Sequence, residues 1–186
     1  MVPLMSLLLP MFLSAVIVFI ASALIHMVLR YHSADWKGLA NEDGVMEALR
    51  KFDLAPGDYM MPRPTGPNAM KDPAFIEKRT KGPALIMTVW PKGPFGMGKS
   101  LGLWFVLCLV VSLFAGYLAS RVLPAGTQYL KVFQIVGTFG FAAYALGGFP
   151  DSIWYQRSWA TTFRNTFDAL IYGCLMAGTF GWLWPK

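Results

Sequence analysis

Four long apolar stretches and one polar segment make up the chain. The apolar stretches cover about residues 7–28, 100–120, 129–149 and 161–184. Each is long enough to cross ~30 Å of hydrocarbon as an α-helix. Residues 30–99 hold eleven of the sixteen basic residues and eight of the ten acidic ones. The pattern predicts an all-α membrane protein: a single integral membrane domain, residues 1–186, with four transmembrane helices and a small mixed extramembrane cap formed by residues 30–99.

The polar segment carries local signals for two helices and two strands. Asn41 can cap a helix whose apolar residues recur at helical spacing. An Asp-Pro pair at residues 72–73 is typical of a helix start, and this helix is predicted to end near residue 81. Residues 59–61 and 84–90 have strand composition and are predicted to pair as a hairpin. We therefore expect the cap to be ordered.

Small residues recur every fourth position on the three later apolar helices. This spacing lets helix backbones approach closely, which is how helices associate in lipid. Such faces suit either internal packing of a four-helix bundle or contact with another membrane protein, and the sequence leaves both readings open. The positions are Ser112, Gly116 and Ser120 on the second helix, Ala143 and Gly147 with Gly140 one turn earlier on the third, and Gly173, Ala177 and Gly181 on the fourth.

Composition and charge agree with a membrane protein. The chain is 55% hydrophobic and only 14% charged, whereas soluble domains carry roughly 25% charged residues. The net charge of +6 is explained by topology, so we predict no nucleic-acid partner. Basic residues near helix ends are more numerous on the side of the long loop. The positive-inside rule then places residues 30–99 in the cytoplasm and both termini in the periplasm of a bacterial inner membrane.

Residues 93–100 read Gly-Pro-Phe-Gly-Met-Gly-Lys-Ser and match a phosphate-binding loop. The helix that follows is apolar and of membrane length, and the chain offers no parallel sheet to support such a loop. We therefore interpret Lys99 as an interfacial anchor and Ser100 as a helix cap.

The titratable residues near the helix ends are the remaining candidates for chemistry. His26 and His32 are six residues apart, so on a continuous helix their rings would point in different directions. They are weak candidates for cofactor binding, and the sequence predicts neither a cofactor nor a metal site. Arg164 and Asp168 have the i, i+4 spacing of a pair on one helix face. Asp168 could line a shallow polar pocket with His26 and Asp151.

Three segments carry a resemblance to a known group of proteins. They are His-Ser-Ala-Asp-Trp-Lys at residues 32–37 with Asn-Glu-Asp at 41–43, Gly-Asp-Tyr-Met-Met-Pro at 57–62, and Gly-Lys-Ser at 98–100. In these segments the chain resembles a group of small bacterial membrane proteins with no known activity. The resemblance implies a four-helix inner-membrane protein and carries no catalytic residue or cofactor to this chain.

From these features we expect a non-enzymatic integral membrane protein. The first hypothesis is an accessory or stabilising subunit of a larger membrane complex, such as a respiratory or photosynthetic one, with lipids and other membrane proteins, or a second copy, as partners. The second is a small transporter or channel acting as a homo-oligomer through Asp168, Arg164 and His26. The third is a haem- or quinone-linked redox subunit using His26 and His32.

Overall fold

The computed structural model describes residues 1–94 and 96–186, and its contacts divide the chain into two compact units. The helical unit comprises Met1–Lys37 and Gly96–Lys186. The cap unit comprises the described residues of Gly38–Phe95. The boundary differs from the predicted one, because residues 30–37 belong to the helical unit rather than to the polar cap. This difference matters because these residues carry part of the candidate site.

The helical unit consists of long helices joined by short turns. In chain order its elements are a 3₁₀ turn at Leu4–Leu7, α1 at Leu8–Ala23, a π-helical turn at Leu24–Leu29, and a 3₁₀ turn at Tyr31–Asp35. After the cap come α4 at Gly98–Val122, α5 at Tyr129–Ala145, a 3₁₀ turn at Leu146–Gly148, α6 at Phe149–Tyr155 and α7 at Trp159–Trp182. The labels α2 and α3 belong to the cap unit.

Within the described ranges, three helical segments are long and apolar enough to cross a membrane. They are Leu4–Leu29, Gly98–Val122 and Tyr129–Tyr155. The fourth predicted span forms a helix of 24 residues, α7, but it is not one of these three. Its first half carries Arg164, Asn165 and Asp168, which lower its average hydropathy. The chain is thus compatible with membrane integration through three apolar helices, with α7 packed among them.

The closest helix packing lies between α5 and α7. A Cβ atom built on Gly173 would lie 2.9 Å from the backbone nitrogen of Phe141 and 3.1 Å from the carbonyl oxygen of Gly137. On α5, therefore, the close-packing positions are Gly137 and Gly140. Of the positions predicted on the third helix, Gly140 therefore lies at the contact with α7, whereas Ala143 and Gly147 are exposed.

The other predicted small-residue positions lie at helix contacts. Ser112 is buried and lies with its Oγ 2.7 Å from the Oγ of Ser14 on α1. Gly116 faces the side chain of Met11, and Gly181 faces the ring of Tyr129. Three further residues of the predicted set, Ser120, Ala177 and Gly173, are also buried.

Gly173→Ala is expected to lower the free energy of unfolding by about 1–3 kcal/mol, the usual cost of overpacking. The added methyl would meet backbone atoms, which cannot rotate away as a side chain can. Gly147→Ala is the matched control, because no described atom lies within 4 Å of a Cβ built there. Thermal unfolding in detergent measures both variants. Equal melting temperatures for the two variants would contradict the packing described here.

The cap unit confirms the local signals read from the sequence. Asn41 accepts a hydrogen bond from the Gly44 nitrogen at the start of α2, and Asp72 accepts one from the Ala74 nitrogen at the start of α3. The strands pair antiparallel, with Tyr59 opposite Met87. The element bounds are Glu42–Arg50 for α2, Gly57–Met61 for β1, Pro73–Lys81 for α3 and Leu85–Val89 for β2.

The phosphate-loop motif does not have the structural setting that such loops require. The two described strands of the cap form an antiparallel pair, whereas a phosphate loop follows a strand of a parallel sheet. Lys99 and Ser100 lie in the first turn of α4, which begins at Gly98. Phe95, inside the motif, lies outside the described residues.

Candidate metal centre

The chain reverses direction directly after α1, and this reversal creates the candidate site. The helix widens into the π-helical turn Leu24–Leu29 and ends at Arg30, whose φ of 55° is in the left-handed region. The 3₁₀ turn Tyr31–Asp35 then folds back along the helix end. As a result the rings of His26 and His32 stack with centroids 4.4 Å apart and planes 5° apart. The expectation that the two rings point in different directions is wrong, because no continuous helix joins them.

His32 lies between two carboxylates. Its Nδ1 is 2.6 Å from Oδ2 of Asp35, and its Nε2 is 2.7 Å from Oδ2 of Asp168. Asp168 is only 2% exposed and also accepts a hydrogen bond from the Tyr31 hydroxyl through its other oxygen. The carboxylate of Asp168 is therefore held from both sides by residues of the 3₁₀ turn.

Asp35 anchors this turn to the start of α7. Its Oδ1 accepts hydrogen bonds from the Thr161 hydroxyl, at 3.0 Å, and from the Arg164 guanidinium. Burial acts to raise the pKa of Asp35, but the hydrogen bonds from His32, Thr161 and Arg164 outweigh it and hold the pKa below its usual value. Arg164 and Asp168 were expected to pair with each other. Each instead binds residues of the 3₁₀ turn: Arg164 donates to Asp35, and Asp168 pairs with Tyr31 and His32.

His26 is the third member of the cluster, beside His32 and Asp168. Its Nδ1 is 3.0 Å from the carbonyl oxygen of Ser22, one helical turn earlier, and its Nε2 is 4.0 Å from Oδ2 of Asp168. The indole nitrogen of Trp104 on α4 donates to the Ser22 hydroxyl. Potential ligand atoms of His26, His32 and Asp168 all lie within 4.8 Å of one another.

A cavity of about 420 Å³ adjoins the cluster. Its lining includes the polar residues His26, Asp168, Ser22 and Asn165, and most of its wall is apolar. The pocket suggested by the sequence thus exists for His26 and Asp168. Asp151, which was expected to join them, instead lies 3.6 Å from the guanidinium of Arg157.

The cluster has the composition of a metal site. Two imidazole nitrogens and one carboxylate are common ligands of Zn²⁺ and of other divalent transition ions. Tyr31 and Asp35 orient these groups, and sequence reasoning assigned no role in the site to Tyr31. The available signal was the run Arg-Tyr-His-Ser-Ala-Asp at residues 30–35, which is unusually rich in hydrogen-bonding side chains for a helix exit.

Comparison of the chain with protein-family models, with curated protein sequences and with solved structures finds no match. What the cluster binds therefore has to be argued from its own atoms and their surroundings.

Proposed function

We propose that this chain is an integral membrane protein that binds a divalent transition metal ion of the zinc type through His26, His32 and Asp168. One observation carries the proposal. In each histidine, Nδ1 lies within hydrogen-bond distance of an oxygen atom, and Nε2 lies near the carboxylate of Asp168. In metalloproteins the second ring nitrogen of a histidine ligand usually donates to a carboxylate or to a backbone carbonyl. Asp35 plays the first of these roles for His32, and the Ser22 carbonyl plays the second for His26.

Both separations from the Asp168 carboxylate are close to those that a bound ion requires. With metal–ligand bonds of about 2.0–2.1 Å in a tetrahedral site, the ligand atoms are roughly 3.3 Å apart. The present separations from Oδ2 of Asp168 are 2.7 Å to His32 and 4.0 Å to His26. When the ion binds, the distance from Asp168 to His32 has to increase and the distance from Asp168 to His26 has to decrease, by similar amounts. His26 is half exposed at its side chain, so its ring has room to move.

Binding of the ion is coupled to release of a proton. An imidazole nitrogen binds a metal ion through its lone pair, so any proton on Nε2 of His32 has to leave to solvent when the ion binds. Metal affinity is therefore expected to fall as the pH is lowered.

The site lies where a ligand can reach it from the cavity. Three protein ligands leave one tetrahedral position open, which is the arrangement of catalytic rather than structural zinc sites. We extend the proposal to α7 as a fourth membrane span, supported by its length of 24 residues. A role as an accessory subunit of a membrane complex, membrane-protein partners and a cytoplasmic cap stay predictions.

The test is a metal titration of the full-length protein in detergent after treatment with a chelator. Calorimetry with Zn²⁺ is expected to give one site per chain, and Co²⁺ is expected to give the visible absorption of a tetrahedral nitrogen–oxygen site. His26→Ala should weaken binding about 100-fold or more, since loss of an outer-shell partner alone costs roughly 10–100-fold. Cys174→Ala is the control, because Cys174 is an exposed thiol that could bind zinc by itself. If His26→Ala leaves the zinc affinity unchanged, the proposal is wrong.

A further inference from the structure

We propose that the cavity beside the cluster binds the head group of a membrane-soluble quinone, with the hydroxyl of Tyr172 donating a hydrogen bond to a quinone carbonyl. The inference goes beyond metal binding and does not depend on it, because Tyr172 is not a member of the metal cluster.

Tyr172 provides the main observation. Its side chain borders the cavity and is only 4% exposed, yet its hydroxyl has no hydrogen-bond partner among the residues that the structure describes. Native proteins pair nearly all such buried hydroxyls, so an unpaired one calls for an explanation. The hydroxyl of Tyr144, also in the cavity wall, likewise lacks an oxygen or nitrogen partner and has the Cys108 thiol nearby. A ligand with an acceptor atom would satisfy the Tyr172 hydroxyl.

The shape of the cavity suits a flat ring. The rings of Trp104, Tyr144 and Tyr172 form one wall, with centroids 5.5–6.3 Å apart. Aromatic walls of this kind favour offset or edge-on contacts with another ring. The volume of about 420 Å³ lies within the range of roughly 300–1,000 Å³ that is usual for small-molecule sites. Aliphatic side chains such as Leu101 and Leu107 complete the lining and can contact an isoprenoid tail.

The charge of the cavity argues for a neutral ligand. Asp168 presents a buried carboxylate to the cavity and already has His32 and Tyr31 as partners. A fatty-acid carboxylate would bring a second negative charge toward it, at a cost in low dielectric. A quinone carbonyl accepts hydrogen bonds without carrying charge. The cavity is also lined by α1, α4 and α5, whose segments are the three of membrane length, which suits a lipid-soluble ligand.

The experiment measures binding of a benzoquinone with one isoprene unit to the full-length, chelator-treated protein in detergent by calorimetry. Tyr172→Phe is expected to weaken binding about tenfold, the effect of one lost hydrogen bond to a buried carbonyl. Tyr117→Phe removes a hydroxyl from an exposed ring on α4 and should leave binding unchanged. Ala143→Leu, at an exposed position in the cavity wall, should also weaken binding at least tenfold by filling space while Tyr172 stays intact.

The melting temperature and the Zn²⁺ affinity of Tyr172→Phe complete the test. The ligand-free Tyr172→Phe protein should melt at the same or a higher temperature than the parent, because it loses only an unpaired hydroxyl, and its Zn²⁺ affinity should not change. The inference is wrong if Tyr172→Phe leaves the quinone affinity unchanged or lowers the melting temperature. It is also wrong if the protein binds a long-chain fatty acid more tightly than the quinone. A failure of zinc binding with these quinone results intact would remove the metal site alone.

Discussion

Asp168→Asn is expected to abolish zinc binding over the range in which the parent protein saturates, with a loss of affinity of about 100-fold or more. Oδ2 of Asp168 is the atom that both histidine Nε2 atoms approach, at 2.7 Å and 4.0 Å, so no ion can bind to both rings without being close to it. Asparagine has nearly the same shape but no negative charge. Its oxygen is a much weaker ligand for a transition ion than a carboxylate. Calorimetry with Zn²⁺ and the absorption of Co²⁺ measure the loss.

Asp151→Asn is the matched control for this substitution. Asp151 also lies in the helical unit, and its side chain is 48% exposed beside Arg157, so loss of its charge should leave zinc affinity unchanged. The fold of the Asp168→Asn variant is checked by thermal unfolding, since His32 loses an ionic partner in it. Retention of parental zinc affinity by Asp168→Asn would show that the ion, if bound, lies elsewhere.

Asp35→Ala is expected to cause the largest loss of stability in the helical unit, about 3 kcal/mol. The Asp35 side chain is only 6% exposed, and its removal leaves His32, Thr161 and Arg164 without their acceptor. Breaking a buried ion pair by removing one partner costs about 3–5 kcal/mol, and the lower end applies because Arg164 is partly exposed. Thermal or denaturant unfolding in detergent measures the change.

Asp151→Ala again supplies the comparison, because it breaks an exposed ion pair and should cost less than about 1 kcal/mol. Zinc affinity of Asp35→Ala should also fall, by roughly 10–100-fold, since Asp35 orients the His32 ring. Asp35 has a lower pKa in the folded protein than in the unfolded chain. Its stabilising contribution is therefore present above the unfolded pKa and is lost as the pH falls through the folded one. Equal stability of Asp35→Ala and Asp151→Ala would contradict the anchoring role.

Much of the fold could be predicted because its signals are local. The apolar runs mark α1, α4 and α5, and the caps Asn41 and Asp72 mark the two short helices. Each of these signals depends on residues within a few positions of one another, so periodicity and capping rules suffice. Small-residue spacing located the packing face of α7 at Gly173 and that of α5 at Gly140, but it also included Ala143 and Gly147, which are exposed, since several registers of small residues occur on α5.

The candidate site could not be predicted because it depends on one backbone reversal. Nothing in the local sequence requires Arg30 to adopt a positive φ, a conformation more typical of glycine or asparagine. Without it, His26 and His32 look like residues on different faces of one helix. The pairing of Asp35 with Arg164 joins positions 129 residues apart, whereas the i, i+4 pairing of Arg164 with Asp168 was the only one visible locally.

Because the chain divides into two units, the cap and the metal cluster can change independently in evolution. Every residue of the metal cluster and of the adjoining cavity precedes residue 38 or follows residue 95. The cap is thus a continuous insertion between two parts of the helical unit, and none of its described side chains belongs to the cluster or the cavity wall. Mutations in the cap can change its surface, and with it any partner that it meets, while the chemistry held by the helices stays constant.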